Sequence, residues 1–185
     1  TVTTKASDSF DAAGYYEFDL ARGAIQDRAG DRVVVLPEAA LAPLVQSAAA
    51  NGDLTAMRAL GTALGARIQS GLGAVEGASP ATVFQAAAGH LAVFGWGKLS
   101  VERWGDALCL QMQEAPQHDE HGLALSALLG GLMSTLASRD VACVPADEGR
   151  YLLVDAEIAE EVWGWAQETG DVAALVARLA PGGAS

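Results

Sequence analysis

The chain has 185 residues, of which 51% are hydrophobic and 18% charged, a balance that suits one ordered domain with a full core rather than a disordered chain. Its formal net charge is −12, and its two lysines (Lys5 and Lys98) and nine arginines are scattered singly, so no basic patch is offered to nucleic acid or to an anionic membrane surface. The uncharged run Gly122 to Ser138 spans 17 residues and is too short and too rich in Gly, Ser and Thr for membrane insertion, while TVTTKASDSF at the start has neither the basic nor the apolar region of a secretion leader, which makes cytoplasmic the expected location.

After a polar lead over residues 1–13, YYEFDL (Tyr15 to Leu20) and DRVVVLP (Asp31 to Pro37) read as two strands, with Ala29 to Asp31 supplying turn chemistry for a hairpin. Pro37 and Glu38 suit the first turn of a helix that runs to about Ala50, and Asn51-Gly52 stops it. Asp53 caps the next helix. There Leu54, Met57, Leu60, Leu64, Ile68 and Leu72 recur every three or four residues and predict one buried face. Gly61 and Gly65 form a neighbouring stripe along which another backbone can approach closely, at some cost in helix propensity. Gly71 to Ala78 reads as a loop.

Ser79-Pro80 is a well-formed helix start, a capping hydroxyl followed by proline at the first helical position, and the helix is expected to reach about Phe94. Gly95-Trp96-Gly97 breaks it. KLSVERW and ALCLQMQ, separated by Gly105-Asp106, then predict a second hairpin with Leu99, Val101 and Arg103 on one face of its first strand and Leu108, Leu110 and Met112 on one face of its second.

The polar stretch APQHDEH precedes a long helix expected over Glu120 to Arg139, with Leu125, Leu128, Leu129, Leu132 and Leu136 as its apolar stripe and Ala127, Gly131 and Ser134 as a small-residue stripe. Such a helix lies flat on a sheet or meets a second copy across a dimer axis. VACVP and RYLLVD predict two more strands around the turn ADEG, and helices over Asp155 to Thr169 and Asp171 to Leu179 close the chain. The fold class expected is therefore α+β, an antiparallel sheet built from hairpins with a long helix inserted between them, packed against a helical layer. Residues 14–180 form its single domain, and 181–185 a tail.

Gly95-Trp96-Gly97 entering a strand, with LSALLGGLMSTL inserted between two hairpins, resembles the bacterial 4-vinyl reductase domain, whose fold is shared with the small subunits of the TRAPP vesicle-tethering complex. The resemblance covers roughly residues 39–154. It implies a sensor, scaffold or ligand-binding domain, often dimeric, with an apolar cavity between helices and sheet. Bacterial members often carry a cysteine pair around the final hairpin; here Cys143 is followed after Gly149 by Leu152 and Leu153, so a cysteine-bound metal is not implied. Nor do the expected helices hold a cysteine to carry an acyl chain.

No G-x-S-x-G elbow, phosphate-binding loop or dinucleotide fingerprint is present, and the motifs imply no cofactor and no catalytic residue. Cys109 and Cys143 read as reduced core thiols, with a bridge open only if their strands are neighbours. His118, Asp119, Glu120 and His121 read first as a capping segment whose carboxylates favour a helix N-terminus, and second as metal ligands. His90 reads as a core histidine or, alternatively, a haem ligand. Phe84, His90, Trp96, Trp104 and Tyr151 are the candidates for a ligand pocket. Trp163 and Trp165 fall on different sides of one helix, which makes that helix the candidate partner surface. The function expected is a non-enzymatic, homodimeric binding module for a small hydrophobic molecule or a protein partner, with a structural subunit of a larger assembly as the alternative.

Overall fold

The computed structural model describes residues 12–71, 79–116 and 119–179. Strands β1 (Tyr16–Asp19), β2 (Ala24–Asp27) and β3 (Arg32–Val33) make a small antiparallel sheet, and helices α1 (Glu38–Ala50), α2 (Thr55–Gly71) and α3 (Pro80–Val93) follow. A second antiparallel sheet is made of two hairpins, β4 (Lys98–Trp104) with β5 (Ala107–Gln113), and β6 (Val141–Asp147) with β7 (Arg150–Asp155). Helix α4 (Leu123–Ala137) lies between the hairpins in sequence, and α5 (Ala159–Thr169) and α6 (Val172–Leu179) close the fold. No described helix is long and apolar enough to cross a membrane.

The larger sheet has the order β4-β5-β7-β6, so its central pairing, Leu108 to Gln111 against Arg150 to Leu153, joins one hairpin to the other. Strand alternation sends side chains to two different cores. Leu99, Leu110, Met112, Cys143 and Tyr151 pack beneath α2, α3 and α4, and the pairs Leu99↔Met112 and Val101↔Leu110 lie directly opposite one another, as the period-two pattern requires. Cys109, Val144, Leu152 and Val154 pack on the other face with Val162, Ala166, Val172 and Leu175. A second helical cover, α5 with α6, thus joins the single helical layer expected.

Helix α4 sits between α2 and the sheet. Its contact with α2 is backbone against backbone: a Cβ added to Gly61 would strike the Leu128 carbonyl, and one added to Gly131 would strike the Arg58 carbonyl. A Cβ at Gly65 would come within 2.7 Å of the Thr135 Cβ. The face expected for α2 is largely as read: Met57 and Ile68 are buried, Leu54 and Leu64 are partly buried on the same core, and the Gly61 and Gly65 stripe beside them takes the close approach. Leu60 departs from it at 37% exposed, because the glycine seam turns that position toward solvent, and Leu72 lies outside the described residues.

The first hairpin differs from expectation. β1 pairs with β2 in the register Tyr16↔Asp27, and the turn at Arg28 to Asp31 joins β2 to β3 instead. β3 stops at Val33, and Val34, Val35 and Leu36 run on exposed. β2 carries little apolar alternation and owes its strand form to its neighbours. Tyr16 anchors this small sheet by donating its hydroxyl to the Val93 carbonyl at 3.2 Å, and the Tyr15 ring meets Phe94 edge-on. Asp27 is buried; its Oδ1 accepts from the Ala29 and Asp31 amides at 2.9 and 3.1 Å, and Arg67 of α2 supplies the opposing charge. A buried carboxylate is tolerated because it is both hydrogen-bonded and paired.

The glycine seam makes a quantitative prediction. Gly61→Ala and Gly131→Ala are each expected to lower stability by about 1–3 kcal/mol or more, the usual cost of overpacking, read as a fall in the urea midpoint. Gly164→Ala in α5, where an added Cβ has no neighbour within 4 Å, is expected to raise it by about 0.5–1 kcal/mol. Equal behaviour of the three variants would refute the close approach.

Candidate functional site

A groove lies at the end of the sheet where β6 turns into β7. It encloses about 730 Å³ between the turn at Asp119 to Gly122, the segment Pro145 to Gly149, and α5 at Trp163, Ala166 and Gln167. A volume of this order falls within the range of small-molecule sites.

Local chemistry fixes each wall. The expected start of α4 at Glu120 is displaced to Leu123 because Gly122 adopts a left-handed conformation, φ 65°, which glycine does at no steric cost. Asp119 then caps the helix across that turn: its carboxylate accepts from the Leu123 amide at 2.5 Å and the Ala124 amide at 3.3 Å. Glu120 and His121 are left exposed on the rim. Opposite them, a register shift between Pro145 and Asp147 bends β6, and the Gly149 carbonyl accepts from the Met112 amide at 2.7 Å. Asp147 is held by Arg150 Nη1 at 3.1 Å, while Glu148 has no ion pair among the described residues.

Tyr151 forms the floor. Its side chain is 3% exposed, and its oxygen lies 2.8 Å from the place a Gly122 Cβ would occupy. The hydroxyl makes no hydrogen bond to the described residues and, unlike the buried Asp27 Oδ2 and Arg150 Nε, is reached by solvent from the groove that Tyr151 lines. Burial, and secondarily the Asp119 carboxylate, push its pKa to about 12, so it stays protonated near neutrality. The His121 and Trp163 rings meet edge to face with centroids 6.1 Å apart.

Of the five residues expected to share a pocket, Tyr151 lines this groove and the others lie elsewhere. Phe84 and Trp96 are partly buried against the core beneath α2 to α4. Trp104 lies on the opposite sheet face, its indole donating to Glu102 Oε2 at 3.1 Å. His90 borders a separate groove of about 420 Å³ with Tyr15, Arg28 and Arg67, its Nδ1 2.8 Å from the Ala86 carbonyl.

Trp163 and Trp165 lie on different sides of α5 and yet pack against one core. Val162 and Ala166 are buried, and at 100° per residue Trp163 and Trp165 fall roughly 80° to either side of that seam. Both are partly buried against the same core. Trp163 faces the groove, whereas Trp165 carries the Arg178 guanidinium 5.8 Å from its ring centroid.

The cysteines also separate. Cys109 and Cys143 are free, buried and on opposite faces of the sheet, with β7 between their strands, so they cannot bridge. His118 lies outside the described residues, and among those described no group of three or more His, Cys, Asp or Glu is placed to hold a metal ion. Asp147, Glu148 and Gln167 were not legible as site residues, because ADEG reads only as a turn and nothing local ties it to α5.

Buried acids set the alkaline limit of the fold. Burial raises the Cys109 thiol to about 11 and Cys143 further, and Tyr151 to about 12. Above about pH 9 the unfolded chain releases protons that the folded chain retains, so stability falls as pH rises. Urea midpoints at about pH 8 and about pH 10.5 are expected to show this loss, with a shallower loss in the Cys109→Ala, Cys143→Ala double variant. An unchanged slope would place the effect outside the thiols. No family model matches the chain, and no curated protein or solved structure matches it either.

Proposed function

We propose that the chain is a non-enzymatic binding module that holds a small ligand or a segment of a protein partner in the groove between the α4 N-terminus, the β6–β7 turn and α5. The observation that carries this reading is Tyr151, a nearly buried side chain whose hydroxyl is left unspent at the floor of an open groove. Water can meet that hydroxyl in the open groove, and a ligand atom placed there takes over the hydrogen bond in a setting walled on its other sides by protein. The half-buried Trp163 ring beside it adds the kind of amphipathic surface that recurs at recognition sites. The 4-vinyl reductase-like resemblance favours the same class of activity, a sensor or scaffold working as a homodimer, and a cytoplasmic setting belongs to this reading.

A specific observation favours a second reading, that of a subunit in a larger assembly. Phe18, Leu20, Val34, Val35, Leu36 and Leu44 are large, apolar and exposed, with Leu20 at 85%. They lie in the small sheet, the segment after it and α1, and the consecutive run Val34 to Leu36 is exposed apolar surface of the kind a partner can cover.

Native mass spectrometry of the purified chain separates the two. A dimer with a discrete retained mass, together with melting that rises on adding the retained compound, is the expected result for a binding module. An apo chain that aggregates alone and is rescued by another protein would overturn it in favour of the subunit.

A further inference from the structure

We infer that the groove at the α4 N-terminus is a receptor for an organic cation on an alkyl stem, a primary ammonium presented either by a free polyamine or by a lysine side chain of a peptide. The inference rests on the reading of this groove as a binding site and specifies the chemistry of what enters it.

Charge gives the first argument. Asp119, Glu120, Asp147 and Glu148 all line the groove, and among the described residues no lysine or arginine lines it. Asp147 is already engaged by Arg150 and Asp119 by two amides, which leaves Glu120 and Glu148, one on each rim, without an opposing charge among the described residues. Like charges gathered around a concave surface raise the local concentration of a counter-ion and exclude anions.

Tyr151 gives the second argument, independent of the carboxylates. An ammonium brings three N–H donors and no acceptor, so it needs oxygen lone pairs at more than one angle. The Tyr151 oxygen, 3% exposed as a residue and unpartnered at the floor, supplies one from below while the rim carboxylates supply others from the sides. A carboxylate ligand would meet repulsion here, and a wholly apolar ligand would leave the hydroxyl unmet. Trp163 and His121 offer ring surface against which a methylene stem can lie and a cation can be attracted to the aromatic face. The volume, about 730 Å³, exceeds a single ammonium and suits a chain of several carbons.

Isothermal titration calorimetry of the full chain tests this with spermidine, a linear triamine, with an Nα-acetyl-lysine amide peptide, and with a linear diol of similar length as the uncharged control. At least one amine is expected to bind, more weakly as salt is added, and the diol is expected not to bind. Binding by the triamine alone identifies a free polyamine as the source; binding by the peptide alone identifies a partner's lysine.

The Glu120→Gln, Glu148→Gln double variant is expected to weaken binding about tenfold, and Tyr151→Phe severalfold, with circular dichroism and melting unchanged because phenylalanine keeps the ring. The Glu160→Gln, Glu161→Gln double variant removes the same charge from exposed positions of α5 and is expected to bind as the parent does. Equal weakening in the two double variants would reduce the effect to diffuse attraction and overturn the inference. So would the failure of every amine to bind. If native mass spectrometry still shows a retained mass in that case, the groove remains a binding site and only its cation chemistry falls.

Discussion

Two helices approach so closely at Gly61 and Gly131 that a Cβ on either glycine would strike the backbone of the other helix, and the seat of α4 on the sheet depends on that contact. Glycine inside a helix lowers its intrinsic stability by about 1 kcal/mol relative to alanine, so Gly61, Gly65 and Gly131 are a local liability. The liability is offset by burial. With α2 on one side and the sheet on the other, α4 buries Ala124, Leu125, Leu128, Leu129 and Leu132, and a helix enclosed in this way must be apolar on most of its surface. Polar residues of α4 are admitted where a partner waits: Ser134 shares its hydroxyl with Val141 of β6, and Ser126 donates to the Cys143 carbonyl. The seam fixes the axis of α4 and so the position of its first turn, where Asp119, His121 and Gly122 border the groove.

The sheet acts as a partition between two cores of different character. Beneath α4 its buried face is apolar apart from the Tyr151 hydroxyl, while the α5 side admits a charged group at the β4 edge: Glu102, buried, with the Trp104 indole on its carboxylate and Arg150 Nε at 3.6 Å. Arg150 reaches Asp147 with its other end. One guanidinium therefore ties an interior carboxylate to a rim residue of the groove. The planar fork of arginine suits that double engagement, where a lysine would serve one partner at a time.

Much of the fold was legible because local signals and tertiary contacts agree. Ser79 caps α3 through the Thr82 amide at 3.2 Å, and the alternation in KLSVERW and ALCLQMQ reproduces the observed faces residue for residue. Where the reading failed, the deciding partner is distant in sequence. Ala24–Asp27 is a strand only because β1 and β3 flank it, and Val34 to Leu36 has strand composition but no strand beside it. In α2 the apolar period and the glycine stripe both hold, and only Leu60 falls outside the buried face, on the exposed side of the contact with α4. Among site residues, Tyr151 was readable as a polar-tipped aromatic in an apolar strand. Glu148 and Gln167 were not, because the groove is assembled from three segments whose proximity depends on how α4 and α5 seat on the sheet.

The order β4-β5-β7-β6 carries a kinetic consequence. Each hairpin closes across a turn of two residues, Gly105-Asp106 in one and Glu148-Gly149 in the other, and needs little chain entropy to form. The pairing of Leu110 with Tyr151 has instead to span the whole of α4 and β6. Loop closure of that length is opposed by entropy before any contact rewards it. The docking of α4 against α2 brings the two hairpins to the same place, so the same glycines that pack the native state also shorten the conformational search for the central pair of strands.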